Sequence, residues 1–157
     1  MIFIDFDCDV FKKFCLYSNE HDLFVRKNIE CMDDINIFMW SCKWGHLNVV
    51  EYLWNLGLNL DDVRSENNMA FVWACQYGHL DIVKYLYELG LTLDDVRSHD
   101  NYAFRLACEN GHLNVVKYLW NLGLNLDDVR SDDNYAFRLA CANNHLNVVE
   151  FLKSIGV

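Results

Sequence analysis

The strongest constraint on this chain is a period. His46, His79, His112 and His145 fall 33 residues apart, and each sits in a near-copy of one phrase. The copies are GHLNVVEYLWNLGLNLDDVRS at 45–65, GHLDIVKYLYELGLTLDDVRS at 78–98, GHLNVVKYLWNLGLNLDDVRS at 111–131 and a shortened NHLNVVEFLKSIGV at 144–157. A fixed period of this size predicts one supersecondary unit stacked on itself, because so small a unit hides its apolar side only against its neighbours. The residues ahead of each phrase repeat as well: NIFMWSCKW (36–44), MAFVWACQY (69–77), YAFRLACEN (102–110) and YAFRLACAN (135–143). Each unit therefore reads as a short helix, a turn at Gly-His, a second helix and a polar connection. The expected fold class is all-α, a solenoid of stacked helix-turn-helix units at 36–65, 66–98, 99–131 and 132–157.

Local signals fill in the unit. Phe38, Phe71, Phe104 and Phe137 mark the core side of the first helix, with Ser41, Ala74, Ala107 and Ala140 small enough for helices to approach closely. Asn68, Asn101 and Asn134 stand where a side-chain cap would begin that helix. Gly45, Gly78 and Gly111 predict a left-handed residue in the turn, and Asn144 is the next most tolerant type there. On the second helix Leu113, Val116 and Trp120, flanked by Val115, Leu119 and Leu122, form a wide apolar face. The connections are open between two forms. Thr92 and Asp95 resemble a capping box and suggest a short helical turn, while a β-hairpin tip is the competing form. Residues 1–35 fit the period poorly and read as a degenerate N-terminal cap. Lys153, in the place of Trp54, Tyr87 and Trp120, reads as a solvent-facing C-terminal cap.

Composition excludes several function classes. A formal charge of −10 opposes a nucleic-acid binder, which would show a basic face. No apolar run approaches the ~20 residues of a membrane span. MIFIDFDCDVFKK lacks the basic start of a secretory signal, so an intracellular, cytoplasmic location is expected, with the seven cysteines as reduced thiols.

Gly-His-Leu-x-Val-Val-x-x-Leu, its closing Leu-Gly, the 33-residue spacing and Ala74, Ala107 and Ala140 resemble the ankyrin repeat over residues 36–157. The resemblance implies a non-catalytic scaffold or adaptor that grips a partner protein on its concave face. The family's Thr-Pro-Leu-His opening is replaced by Met69-Ala-Phe-Val72, Tyr102-Ala-Phe-Arg105 and Tyr135-Ala-Phe-Arg138, which puts the hairpin geometry in question. A tetratricopeptide array would need a period one residue longer. The Asn-Tyr-Ala-Phe-Arg-Leu-Ala opening and the near-identical tandem copies look like ankyrin arrays of giant DNA viruses of amoebae, which would place the protein in a host cytoplasm.

Positions that vary between units while the scaffold stays fixed are the candidates for partner contact. At the ends of the first helices these are Lys43, Trp44, Gln76, Tyr77, Glu109 and Asn110. At the connection tips they are Ser65, Glu66, Ser98, His99, Ser131 and Asp132. Trp44 and Tyr77 stand out as interface anchors, with contact to the N-terminal cap as the alternative. Tyr52, Tyr85, Tyr118 and Phe151 read as packing residues.

No catalytic, cofactor or metal site is expected. Cys42, Cys75, Cys108 and Cys141 merely recur with the repeat, at a helix spacing of ~8–10 Å that separates them too far for a shared metal ion. The histidines read as turn residues bonded to nearby backbone. The pairs Asp61-Asp62, Asp94-Asp95 and Asp127-Asp128 read as a solvated ladder paired locally with Arg64, Arg97 and Arg130. A monomer with one protein partner is the expectation. A purely structural component and a metal-dependent enzyme are the alternatives.

Overall fold

The computed structural model describes residues 34–157, so the expected cap at 1–35 lies almost wholly outside the described residues. Ten helices follow in order: α1 (Asp34–Trp44), α2 (Leu47–Asn55), α3 (Leu60–Val63), α4 (Ser65–Gln76), α5 (Leu80–Glu88), α6 (Leu93–Glu109), α7 (Leu113–Asn121), α8 (Leu126–Val129), α9 (Ser131–Ala142) and α10 (Leu146–Ser154). No strand occurs among the described residues. The first helices α1, α4, α6 and α9 pack closely in one row, and the second helices α2, α5, α7 and α10 form a looser row behind them. Two rows of unequal spacing make a curved stack, with the tighter row on the inside.

The periodic residues build the core. Phe38, Phe71 and Phe104 are fully buried with Ala74, Ala107 and Ala140, and Val50, Leu53, Ile82, Val83, Leu86, Val116 and Leu119 complete it from the second row. Burying such a side chain contributes about 1.5–3 kcal/mol. Cys42, Cys75 and Cys108 are buried free thiols, whereas Cys141, on the last unit, is exposed.

The connections are helical turns, not hairpins. Asn59 with Asp62, Thr92 with Asp95 and Asn125 with Asp128 form reciprocal capping boxes that start LDDV turns. Each turn then enters its first helix through three successive left-handed residues. Glu66, Asn67 and Asn68 have φ of 49°, 62° and 61°, and the same occurs at His99-Asp100-Asn101 and Asp132-Asp133-Asn134. A left-handed L-residue costs about 1–2 kcal/mol, and Asn, Asp and His are the side chains that tolerate it best. Glu66 is the exception. Glu66→Gly should raise stability by ~0.5–1 kcal/mol, the relief of strain less the entropy glycine adds to the unfolded chain; a lower urea midpoint would contradict this.

The asparagines at these entries are therefore not caps, as the sequence suggested. Asn68 Nδ2 donates to Ser98 Oγ at 3.4 Å and Asn101 Nδ2 to the Asp128 carbonyl at 3.2 Å. Their Oδ1 atoms accept no hydrogen bond from the first-turn amides or from any other group. Each side chain instead ties its unit to the next.

The acidic ladder also works between units, not locally. Arg64 grips Asp95 bidentately at 2.9 and 3.0 Å, and Arg97 grips Asp128 through Nε at 3.0 Å and Nη2 at 2.9 Å. Arg64, Arg97 and Arg130 also donate to the carbonyls of Gly90, Gly123 and Gly156, which close the second helices of the following units. The Arg64 bond is the main reason the Asp95 carboxyl is held down to about 2, helped by Thr92. Burial pulls Asp128 upward, but its bonds to Arg97 and the Asn125 amide leave it below the usual carboxylate range.

Two of the turn histidines likewise bond across units. His79 Nε2 lies 3.0 Å from the Lys43 carbonyl, and since a carbonyl only accepts, Nε2 carries the proton. His112 makes the corresponding bond to the Gln76 backbone, while burial depresses its pKa below 6.5. Two acid windows follow by linkage. A depressed histidine leaves the unfolded chain binding more protons, so stability should fall as pH drops below about 6.5. A second loss should begin near pH 4 and run toward pH 2 as Asp95 and Asp128 protonate. Melting temperatures between pH 8 and pH 2.5 test this, and a flat profile from pH 7 to pH 5 would rule out the first window.

Candidate partner-binding surface

Residues three or four apart on a helix share a face. On the inner row this puts Trp40, Lys43 and Trp44 of α1 beside Trp73, Gln76 and Tyr77 of α4. Trp44 and Tyr77 are 36% and 39% exposed, enough to be reached from solvent. Trp40 stacks on Trp44 with ring centroids 6.4 Å apart, Trp40 meets Trp73 at 5.9 Å, and Trp44 meets Tyr77 at 6.0 Å. The Lys43 ammonium lies inside this group, 4.7 Å from the Trp40 centroid, 5.1 Å from Trp73, 5.3 Å from Trp44 and 5.4 Å from Tyr77. All four distances fall within the ~6 Å range of cation–π attraction.

Three of the sequence candidates, Lys43, Trp44 and Tyr77, are thus brought into one box. Trp40 and Trp73 complete it, and the sequence reading missed them because they fall on the apolar pattern. The alternative of contact with the N-terminal cap concerns residues outside those described.

The other helix-end candidates have backbone duties. The Lys43 and Gln76 carbonyls take the histidine bonds, and the Glu109 carbonyl accepts from Asn143 Nδ2 at 2.8 Å. Asn110 Nδ2 donates back to Leu106 O in its own helix. The side chains of Gln76 and Glu109 are half-buried, and Asn110 is exposed.

The tip candidates form a separate row. Glu66, His99 and Asp132 are exposed, each the first left-handed residue of its turn, while Ser65, Ser98 and Ser131 are half-buried behind them. About eight residues of helix, roughly 12 Å, separate tips from helix ends. Two residues that sequence reasoning missed span that gap. Arg105 donates to Asp132 at 3.2 Å and to the His99 carbonyl at 3.3 Å, with its guanidinium 5.7 Å from Tyr102 and 5.6 Å from Tyr135. Arg138 lies 5.4 Å from Tyr135. Their signal was present: Val72 gives way to Arg105 and Arg138 at one register position while the Phe before it and the Ala two places after it hold constant.

The second row carries cation–π contacts between units, Lys84 to Tyr118 at 5.8 Å and Lys117 to Phe151 at 5.7 Å, whereas Tyr52 is exposed. Among the described residues no three of His, Cys, Asp and Glu converge as a metal ion requires. Burial pushes the Cys42, Cys75 and Cys108 thiols far up, which leaves them poor nucleophiles. No described helix is long and apolar enough to cross a membrane.

Comparison with known proteins agrees with this architecture. A family model described as ankyrin repeats (3 copies) matches residues 4–97, and one described as ankyrin repeats (many copies) matches residues 106–152. Among solved structures, an ankyrin repeat family protein from Legionella pneumophila is similar at 29% identity with a TM-score of 0.71. The similarity covers 85% of this chain but only 40% of that one. The search of curated proteins returned no match.

Proposed function

We propose, since this chain belongs to the ankyrin-repeat family, that it is a non-catalytic scaffold that binds a partner protein along the face of its inner helices. Ankyrin repeats mediate protein–protein interaction, and one observation carries the extension to this face. The pair Trp44 and Tyr77 stays reachable from solvent beside a lysine, on a stack whose other aromatic residues are mostly covered. Large aromatic residues and cations on a rim are the side chains that carry most interface energy. The tips at Glu66, His99 and Asp132 supply a polar border.

A monomer with four units over 36–157 fits this reading, with residues 1–35 as a divergent cap; the three-copy match that starts at residue 4 supports a repeat-like character for that segment. The Asn-Tyr-Ala-Phe-Arg-Leu-Ala opening supports an intracellular partner in an amoebal host. A structural part without a partner is the second reading, and the Arg64–Asp95 and Arg97–Asp128 pairs between units are what favour it.

Affinity capture with the full chain separates the two. Trp44→Ala with Tyr77→Ala should cut recovery of the partner by at least about 30-fold, the loss expected of a hot-spot aromatic, at little change in melting temperature. Identical captured sets for both proteins would leave only the structural role.

A further inference from the structure

Three arginines of the array hold a carboxylate on the unit that follows: Arg64 takes Asp95, Arg97 takes Asp128 and Arg105 takes Asp132. Arg130 and Arg138 stand at the same register positions in the fourth unit. Both are exposed, and among the described residues neither has a carboxylate partner. Arg130 donates to the Gly156 carbonyl, and Arg138 lies over the Tyr135 ring. We infer that this edge of the fourth unit is a second docking surface, and that its ligand is an acidic turn of a partner protein carrying two carboxylates four residues apart. The edge lies two units or more from Tyr77 and Trp44, and its use does not depend on theirs.

The array itself shows the shape that fits. Arg97 and Arg105 stand to Asp128 and Asp132 as Arg130 and Arg138 stand to the ligand. Those two aspartates lie four residues apart on one connection, Asp128 in the capped LDDV turn and Asp132 at the left-handed entry behind it. A ligand turn with that spacing gives each guanidinium group a charge-assisted bond. A single carboxylate leaves one arginine to water.

Apolar side chains share this edge. Cys141 is exposed and Phe137 half-buried, whereas Cys42, Cys75 and Cys108 and Phe38, Phe71 and Phe104, at the same register positions, are fully covered. Leu146 is 68% exposed. The stretch Tyr-Ala-Phe-Arg-Leu-Ala-Cys at 135–141 repeats the one at 102–108 without change, so the fourth unit keeps the side chains with which the third receives its neighbour. Exposed ion pairs contribute little by themselves. Beside apolar surface that a docked partner covers, the two arginines are shielded from water and gain weight. In a chain of charge −10, two unpaired guanidinium groups on one edge select an acidic partner.

The test titrates a peptide with the sequence of residues 124–134, LNLDDVRSDDN, into the isotope-labelled full chain, beside the same peptide carrying Asp128→Asn and Asp132→Asn. Backbone NMR shifts locate the binding, and thermal melting checks the fold. The acidic peptide should bind with a Kd of about 0.1–1 mM and move signals around Arg130 and Arg138, and the amide peptide should bind at least about tenfold more weakly. Arg138→Val copies the residue that the second unit has at this register and should weaken the acidic peptide about tenfold with the melting temperature kept. Trp44→Ala with Tyr77→Ala should leave peptide binding unchanged. No shifts at about 2 mM peptide, equal binding of the two peptides, an affinity indifferent to Arg138→Val, or shifts centred on another unit would overturn the assignment. Tighter binding of a single-stranded oligonucleotide of equal charge would overturn it as well. Should any of these occur while Trp44→Ala with Tyr77→Ala still abolishes partner capture, the inner-helix face stands as the one partner surface.

Discussion

Gly78→Ala is expected to destabilise the stack by about 2–5 kcal/mol, the sum of a left-handed backbone penalty and an overpacking cost. Two separate demands meet at this residue. Its φ is +79°, and a Cβ built on it would run into the His112 ring from the following unit. Gly45 shows the same geometry against His79, with the added carbon 2.7 Å from Nδ1 and Cε1. The histidine cannot retreat easily, because its ring is held by a backbone carbonyl one repeat back. A glycine in one turn and a histidine in the next are therefore a single contact repeated along the array.

The fourth turn separates the two demands. Asn144 has φ of 59° and no histidine among the described residues opposes it, so a Cβ is tolerated there. Gly78→Asn should consequently remain destabilising by about 1–3 kcal/mol, although asparagine is the natural residue at the same place in the last unit. Asn144→Gly should shift the denaturation midpoint only slightly. If Gly78→Asn melts like the unaltered chain, the ring contact has no energetic weight and only the backbone angle matters.

The same contact shows how far the sequence was readable. The period, the helix pair, the left-handed Gly turn and the apolar stripe could all be read because each is a local signal repeated three or four times. Contacts between units could not, since their partners lie 26 to 36 residues apart and nothing adjacent announces them. Arg64 stands beside Asp61 and Asp62, so local pairing looked natural, yet its carboxylate is Asp95. Asn68, Asn101 and Asn134 were misjudged for a different reason. Asparagine is favoured both as a cap and as a left-handed residue, and residue type alone does not choose between them. Three left-handed residues in succession are rare enough that the choice became visible only in the backbone angles. At the candidate surface, Lys43, Trp44 and Tyr77 were legible as departures from the repeat. Trp40 and Trp73 were not, because a tryptophan on an apolar stripe looks like core until its neighbours are placed in space.

Deleting residues 99–131 should leave a cooperative, shorter stack, because most contacts across the lost unit have a replacement one period along. The join places Asp132, Asp133 and Asn134 after Ser98, where His99, Asp100 and Asn101 had supplied the same left-handed turn. Arg97 then follows Arg64 into the last LDDV position, and with Asp95 retained the Arg64–Asp95 pair is untouched. Arg97 loses Asp128 but faces Gly156, as Arg130 does in the full chain. Gly78 meets the ring of His145 in place of His112, and both rings oppose a glycine in the intact array. The cost is one unit's share of stability, about 2–5 kcal/mol for 33 residues at ~0.05–0.15 kcal/mol each. A stack of nearest-neighbour contacts predicts a lower urea midpoint with one sharp transition and a smaller m-value. Loss of the cooperative transition would mean that stability is not shared out between neighbours, and the modular account of this chain would fail with it.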